Sequence, residues 1–189
     1  MPYYTGIGAR KTPPDILKVM ETLAWHLAAK GWTLRSGGAG GADSAFEKGV
    51  IRYTQDQDIY PTGKHANIYI PWRSFKDIDP LHKDMYVYSD VVDKHVRMNA
   101  EVTASMIHPN WDACSRGAKA LHTRNIFQVL GHWHVEKPSR FLVCWAPISG
   151  DSITGGTRSA VELAKSKGVE VFNLIREEDY NRISKFCLE

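Results

Sequence analysis

Apolar and polar positions along the first fifty residues alternate between strand-like and helix-like spacing. Residues 3–7 form a short apolar run that stops at glycines, which predicts a buried strand. A helix is predicted from residues 12–14 to Gly31, with an apolar face of Ile16, Val19, Met20, Leu23 and Leu27. A second strand at 32–35, a glycine-rich turn at 36–43 and a second helix to about residue 50 follow. This order favours a parallel sheet with right-handed crossovers.

The last third of the chain repeats the same order of elements. Residues 140–145 (RFLVCW) are almost continuously apolar, as in a strand covered on both faces. A loop at 146–156, a helix at 157–167 closed by Gly168, a strand at 169–173 and a terminal helix at 177–186 are predicted next. The pattern therefore predicts an α/β fold.

The middle of the chain is less regular. Residues 68–72 predict a strand that ends at a proline, and residues 73–94 are polar and predict a loop with a short helix. Helices are expected over 101–107 and 112–130. We therefore expect an irregular insert around residues 73–110. Repeats and low-complexity linkers are absent from the sequence, which predicts one domain over residues 1–189.

Composition narrows the class of protein but not its chemistry. The chain has 189 residues, of which 43% are hydrophobic and 24% charged, a globular balance that excludes a disordered protein. The formal charge of +3 is too small to require a nucleic-acid partner. No apolar stretch approaches the roughly 18 residues of a membrane span, and the first residues do not resemble an export signal. The three cysteines form no C-x-x-C pair and predict buried thiols, so we expect a cytoplasmic protein.

Three glycine-rich loops, at residues 6–10, 36–41 and 155–157, each lie between a predicted strand and a predicted helix. Glycine lets a phosphate approach backbone N–H groups, and a helix start adds partial positive charge. In a parallel sheet all three loops would lie at the carboxyl ends of strands, where ligands bind. They therefore indicate a nucleotide or phosphorylated ligand, with sharp turns alone as the alternative. The spacing excludes a P-loop NTPase, because G-x-x-x-x-G-K-[ST] is absent, and the dinucleotide fingerprint is incomplete.

Four segments, taken in order, resemble the SMF/DprA–LOG (SLOG) superfamily of Rossmann-like domains. They are TGIGARKTPP (5–14), SGGAGGADSAFEKG (36–49), LHTRNIFQVLG (121–131) and GGTRSAVELAKSKGVEVFNL (155–174). SGGAGGAD with a later Arg-Asn pair is similar to the DprA branch. Taken together with HPNWDACSRGAKALHTRN (108–125), the four segments resemble small phage-borne YspA-like and DprA-like proteins. The resemblance implies a doubly wound, mostly parallel, Rossmann-like sheet, a location in the host cytoplasm, and self-association through flat faces of the domain.

The resemblance also implies a ligand- and phosphate-binding pocket built from the glycine loops and one later helix. Its members would be Gly6, Gly8, Arg10, Ser36, Gly37, Gly38, Gly40, Gly41, Asp43, Arg124, Asn125, Gly155, Gly156 and Thr157. The Lonely Guy branch has a catalytic glutamate three residues after the threonine of its glycine motif. Here Ala160 stands at that offset and the nearest acid is Glu162, which argues against that route. Asp43 and Glu162 are the candidate catalytic carboxylates.

Two hypotheses of function follow, and a pure interaction protein with an empty pocket is a third possibility. In the first, the chain binds a nucleotide or a nucleotide-derived small molecule, and hydrolysis or transfer at an N-glycosidic bond stays open, as does the choice between enzyme and sensor. In the alternative, it is a DprA-like single-stranded DNA-binding protein, with the backbone over Arg10, Lys11, Arg35, Arg116 and Arg124 and with aromatic stacking. The small net charge argues against this alternative.

Metal and thiol chemistry are not predicted from the sequence. The sequence has eight histidines but contains neither the H-E-x-x-H nor the C-x-x-C metal-binding motif. Three of the histidines, His26, His108 and His122, are scattered along the chain. Cys114 is interpreted as a small buried hydrophobic side chain. We therefore expect no metal and no cofactor beyond the nucleotide ligand.

Overall fold

The computed structural model describes residues 1–150 and 152–188. Its strands are β1 (Tyr3–Gly8), β2 (Thr33–Ser36), β3 (Ala66–Ile70), β4 (Tyr86–Tyr88), β5 (Phe141–Trp145), β6 (Ile148–Ser149), β7 (Ser152–Ile153) and β8 (Glu170–Asn173). Its α-helices are α1 (Pro14–Ala29), α2 (Ala42–Asp56), α3 (Lys94–Ile107), α4 (Arg116–Leu130), α5 (Arg158–Ser166) and α6 (Glu177–Leu188). Short 3₁₀ turns span Arg73–Phe75 and Pro80–Met85.

Six strands form one parallel sheet in the order β4-β3-β2-β1-β5-β8. The chain builds outward from β1 to β4, then returns to place β5 against the other side of β1. Thr5 accordingly pairs with Arg35 on one side and with Leu142 on the other. This topology confirms the predicted α/β class and its doubly wound, Rossmann-like sheet. It also places a topological switch point between the carboxyl ends of β1 and β5, where such folds bind ligands.

Helices cover both faces of the sheet and create two cores. One core contains residues of α1, α2 and α6, and the other contains residues of α3, α4 and α5. Strand β3 shows why both are needed: Ile68 and Ile70 enter the first core, whereas Tyr69 between them enters the second. A strand buried on both faces reads as a continuous apolar run, and for this reason RFLVCW was a reliable strand signal.

The expected irregular insert contains two regular elements that the sequence pattern did not predict in full. Residues 86–88 form β4, and the helix expected from residue 101 begins at Lys94, where the Asp93 carboxylate accepts the N–H groups of His95 and Val96. Helix α3 was obscured because its outer face carries apolar side chains, Met98, Val102 and Met106, in exposed positions. The self-association through flat faces of the domain, which the family resemblance implies, stays a prediction.

An ion pair fastens the irregular part of the insert to α2. Lys76 Nζ lies 2.8 Å and 2.9 Å from the two carboxylate oxygens of the buried Glu47, and the Tyr86 hydroxyl donates to the same carboxylate. Because a buried carboxylate is stable only when paired and hydrogen-bonded, this contact fixes the path from residue 76 to β4.

The cysteines differ from the expectation of three buried thiols. Only Cys144 is fully buried, because it lies in β5 at the centre of the sheet, whereas Cys114 and Cys187 are half-buried near the surface. Across residues 1–150 and 152–188, no helix is both long enough and apolar enough to cross a bilayer.

Candidate functional site

A cavity of about 430 Å³ lies at the switch point. Its floor is the end of β1 with the loop at 8–10, one wall is the loop after β5, and the opposite wall is α4. The structure therefore brings the first and third glycine loops to one place, as expected for parallel strands whose carboxyl ends share an edge.

The residues expected from the sequence divide into two groups. Those that line the cavity are Gly8, Arg10, Asp43, Arg124, Asn125, Gly155, Gly156 and Thr157. Those that do not line it are Gly6, Ser36, Gly37, Gly38, Gly40, Gly41 and Glu162. Most of the second group belongs to the turn after β2, which contributes Ala39 to the lining in place of its glycines.

Several glycines of the second group are required by packing. A Cβ on Gly6 would lie 2.6 Å from the ring of Phe46, and one on Gly41 would lie 2.6 Å from the carbonyl oxygen of Ala9. A Cβ on Gly37 would overlap the side chains that α4 directs at it. Gly38 and Gly41 also have positive φ, +65° and +80°, which side chains rarely adopt. These glycines allow α2, α4 and the β1–α1 loop to approach one another.

By contrast, Gly40, Gly155 and Gly156 face open space, with no atom within 4 Å of the position that a Cβ would occupy. Of these three, Gly155 and Gly156 border the cavity. The part of the glycine pattern that leaves room for a ligand is therefore the loop before α5.

Asp43 is the buried carboxylate of the cavity. It lies in the first turn of α2, accepts the N–H of Gly8 at 3.2 Å and that of Ala39 at 3.4 Å, and is 3% exposed. Burial raises the pKa of Asp43 to about 6, against the opposing effects of Arg124 and the two N–H groups. Because its charge lies at the start of α2, it compensates the positive end of that helix.

Arg124 enters the cavity from α4 and holds the turn after β2. Its Nη1 donates to the carbonyl oxygen of Gly37, and its guanidinium carbon lies 5.8 Å from the centre of the Phe75 ring. The residue is 7% exposed, and its Nε has no hydrogen-bond partner within residues 1–150 and 152–188. Burial lowers the pKa of Arg124, while Asp43 opposes that shift.

Asn125 and His122 connect α4 to the start of α5. Asn125 Nδ2 donates to the Gly156 carbonyl oxygen at 2.9 Å and to Ser159 Oγ at 3.2 Å, and His122 Nδ1 lies 3.1 Å from the same Ser159 oxygen. Burial, and then the nearby His108 and Arg124, lower the pKa of His122. An imidazole in this position is therefore neutral at neutral pH.

Several cavity residues on α4 were not expected from the sequence. They are Ala118, Leu121, His122 and Gln128. Their signal was available, since these positions lie three, four or seven residues from Asn125 and share a helix face with it. The aromatic residue that the cavity takes from the insert, Phe75, had no such signal.

The starts of α1, α2 and α5 differ in their attraction for an anion. Helix α1 begins at Pro14 and is preceded by Pro13, and both residues lack N–H groups. The first turn of α1 contains Asp15, and that of α2 contains Asp43. Helix α5 has no acidic residue in its first turn, and within residues 1–150 and 152–188 no side chain caps it. The free N–H groups and positive end of α5 are therefore the anion-favouring point of the cavity.

Glu162 and His108 lie beside the main cavity, in a smaller depression that His122 also borders. Arg158 Nε pairs with Glu162 Oε1 at 2.6 Å on the surface of α5. His108 and His122, expected to be scattered, have ring centres 4.3 Å apart, and Cys114 lies against His108. This cluster contains residues that could hold a metal ion.

Two arginines expected on a DNA-binding surface are not available there. Arg35 is completely buried, donates to the carbonyl oxygens of Val129 and Lys137, and lies 3.9 Å from the ring centre of Tyr3. Arg124 is held inside the cavity. Arg10, Lys11 and Arg116 are exposed.

Comparison with known proteins gives a distant structural likeness. No family model and no curated protein matches the chain. Among solved structures, it is similar to DNA processing protein A from Helicobacter pylori, described for its single-stranded DNA binding mode. The two are 17% identical with a TM-score of 0.39, over 98% of this chain and 80% of that one. Membership of the SLOG superfamily stays a prediction.

Proposed function

We propose that the switch-point cavity binds a nucleoside phosphate, with the phosphate at the start of α5. The observation that carries the proposal is the contrast between the helix starts: α1 and α2 carry an acid in the first turn, and α5 does not. The open glycines Gly155 and Gly156 allow close approach to that start.

The cavity fits the rest of such a ligand. Its volume of about 430 Å³ falls within the roughly 300–1,000 Å³ of small-molecule sites. Arg10 is exposed at the rim and Arg124 lines the cavity, and a guanidinium group is suited to pair with phosphate oxygens. Phe75 and Leu121 supply apolar surface for a base.

Catalysis, if the bound ligand reacts, would depend on Asp43. A carboxyl group with a pKa of about 6 can accept or donate a proton near neutral pH. Glu162 is held by Arg158 outside the main cavity. Hydrolysis or transfer at an N-glycosidic bond is therefore assigned, within this proposal, to Asp43 alone.

A matched pair of glycine substitutions tests the site. Gly156→Val and Gly40→Val both introduce a side chain into open space without positive φ, but only Gly156 lines the cavity. By calorimetry with nucleoside monophosphates, Gly40→Val should bind like the parent protein, and Gly156→Val at least about tenfold more weakly. Equal binding by both variants, or equal affinity for a nucleoside and its phosphate, would contradict the proposal.

A second candidate function, binding of single-stranded DNA, is favoured by a larger depression on the other side of α4. It has a volume of about 850 Å³ and contains Trp72, Arg97, Arg116 and Lys119 alongside the acidic Asp90 and Glu101. Cations with an aromatic side chain are the usual composition of a single-strand groove.

Salt dependence separates the two candidates. DNA binding in this depression should weaken steeply with salt and should fall in Arg116→Ala and Lys119→Ala, with nucleotide affinity unchanged. The control is Lys18→Ala, on the surface of α1 and away from the depression. This candidate would be eliminated if an oligonucleotide bound no more tightly than a mononucleotide and if Lys18→Ala lost as much oligonucleotide affinity as Arg116→Ala and Lys119→Ala.

A further inference from the structure

Three side chains that are candidate metal ligands converge where α3 ends and α4 begins. His108 follows the last residue of α3, Cys114 lies in the connection, and His122 lies on α4. One ligand atom from each lies within 4.8 Å of the others, and all three residues are half-buried. Cys114 Sγ is 3.7 Å from His108 Nδ1 and 3.9 Å from His108 Nε2.

These separations are close to those of a tetrahedral zinc site. With Zn–S near 2.3 Å and Zn–N near 2.0–2.1 Å, neighbouring ligand atoms lie about 3.3–3.6 Å apart. Closing the cluster around an ion therefore requires each pair of ligand atoms to approach by about 1.5 Å at most, a movement that the two side chains of the pair share. One thiolate with two imidazoles selects zinc-like ions over magnesium or calcium, which prefer oxygen ligands.

A hydrogen bond to a neighbouring side chain already orients His122 on α4. His122 Nδ1 is hydrogen-bonded to the buried Ser159, which also accepts from Asn125. When Nδ1 carries the proton, Nε2 has the free lone pair that a metal needs. Metal-binding histidines are usually fixed in this way by a partner on the other ring nitrogen. On His108, the Asn110 N–H reaches Nδ1 at 3.3 Å, a contact that an ion at this nitrogen would replace.

We propose that His108, Cys114 and His122 form a binding site for one zinc-like divalent ion. Binding releases the thiol proton of Cys114 to solvent and forms one metal–sulfur and two metal–nitrogen bonds. Three protein ligands leave a fourth position for water or a ligand, as in zinc sites that act on substrates. His122 also lines the switch-point cavity, and both histidines border a depression of about 90 Å³ beside it, so the ion would lie at the cavity wall.

Metal binding can be measured without knowledge of the nucleotide, so failure of this proposal and of the proposed function are distinguishable. The full chain is stripped with a chelator and titrated with Zn²⁺ against a chromophoric competitor. One equivalent should bind, and Co²⁺ in its place should give a thiolate charge-transfer band and the intense visible bands of tetrahedral cobalt.

The variants locate the ligands. Cys114→Ser should abolish the thiolate band. His108→Ala and His122→Ala should each weaken Zn²⁺ binding by more than the roughly 10–100-fold that is lost when a residue hydrogen-bonded to a metal ligand is replaced. Matched controls are Cys187→Ser and His95→Ala, which lie outside the cluster. Near-UV circular dichroism of the metal-free variants establishes that each is folded. Unchanged Zn²⁺ affinity in the cluster variants, or equal losses in the controls, would overturn the site.

Discussion

Asn125 donates its side-chain amide to the carbonyl oxygen of Gly156, 2.9 Å away, and so fastens α4 to the loop that begins α5. The same amide reaches Ser159 Oγ at 3.2 Å. One side chain therefore sets the distance between the two walls of the switch-point cavity.

Replacement of this amide should loosen both walls. Asn125→Ala removes both hydrogen bonds and should lower the free energy of unfolding by about 1–2 kcal/mol, because the Ser159 end is buried. Urea denaturation measures the change, and nucleotide affinity should fall with it. The control is Asn99→Ala, an exposed asparagine on α3. Equal stability of the two variants would mean that Asn125 is not the fastening residue.

The carboxyl group of Asp43 should make stability depend on pH in an unusual direction. Because burial raises its pKa from 3.8 to about 6, the folded state binds this proton more tightly than the unfolded state does. Its contribution is therefore fully present below about pH 4 and is lost as the pH rises through about 6. The loss amounts to about 2–3 kcal/mol. Asp43→Asn should lack this slope when unfolding is measured across the interval.

Asp93 provides a comparison of opposite sign. Hydrogen bonds from the N–H groups of Val96 and His95 lower the pKa of this exposed cap, so its contribution is present at neutral pH and is lost on acidification. Asp93→Asn should therefore remove a slope of the other direction. Identical pH profiles for the two variants would contradict the assignment of the raised pKa to Asp43.

Gly41 should be intolerant of any side chain. Gly41→Ala combines positive φ with a Cβ placed 2.6 Å from the carbonyl oxygens of Ala9 and Arg10, and should lower the free energy of unfolding by about 2 kcal/mol or more. Thermal denaturation gives the comparison with Gly40→Ala, its neighbour in open space, which should stay near the parent Tm. A destabilised Gly40→Ala with a normal Gly41→Ala would reverse this account of the loop.

Arg35 should serve the fold and not a nucleic acid. Arg35→Met relieves the burial of a charge, but it removes the hydrogen bonds to the carbonyl oxygens of Val129 and Lys137 and the stacking on Tyr3. Val129 keeps the Ser139 N–H as a donor, whereas Lys137 loses its donor. We expect the lost contacts to prevail by about 2–3 kcal/mol in denaturant unfolding, since hydrogen bonds to charged groups are the stronger kind.

The exposed Arg10 is the matched control for Arg35. Arg10→Ala should leave the free energy of unfolding unchanged and weaken nucleotide binding. Arg35→Met should lower the free energy of unfolding, and the molecules that remain folded should bind the nucleotide with unchanged affinity. A stabilised Arg35→Met would show that the buried charge outweighs its hydrogen bonds.

Local periodicity predicted most of the parallel sheet, because each strand–helix unit carries its own hydrophobic pattern within a few residues. Within the insert, the hydrophobic pattern did not predict β4 or the first part of α3. Strand β4 has only three residues, and exposed apolar side chains on the outer face of α3 make its helical periodicity hard to recognise. Element identity was therefore predictable for segments longer than β4 whose large apolar side chains are buried or half-buried, as in α1 and β5.

The sequence by itself determined the alternation of strands and helices and the presence of three glycine loops at strand ends. Only the tertiary structure decided which glycines face a cavity and which, like Gly37, admit a neighbouring helix. It alone also buried Arg35 and brought His108, Cys114 and His122 together. The physical reason is that backbone periodicity is a property of nearby residues, whereas open space, burial and ligand geometry depend on segments far apart in the chain.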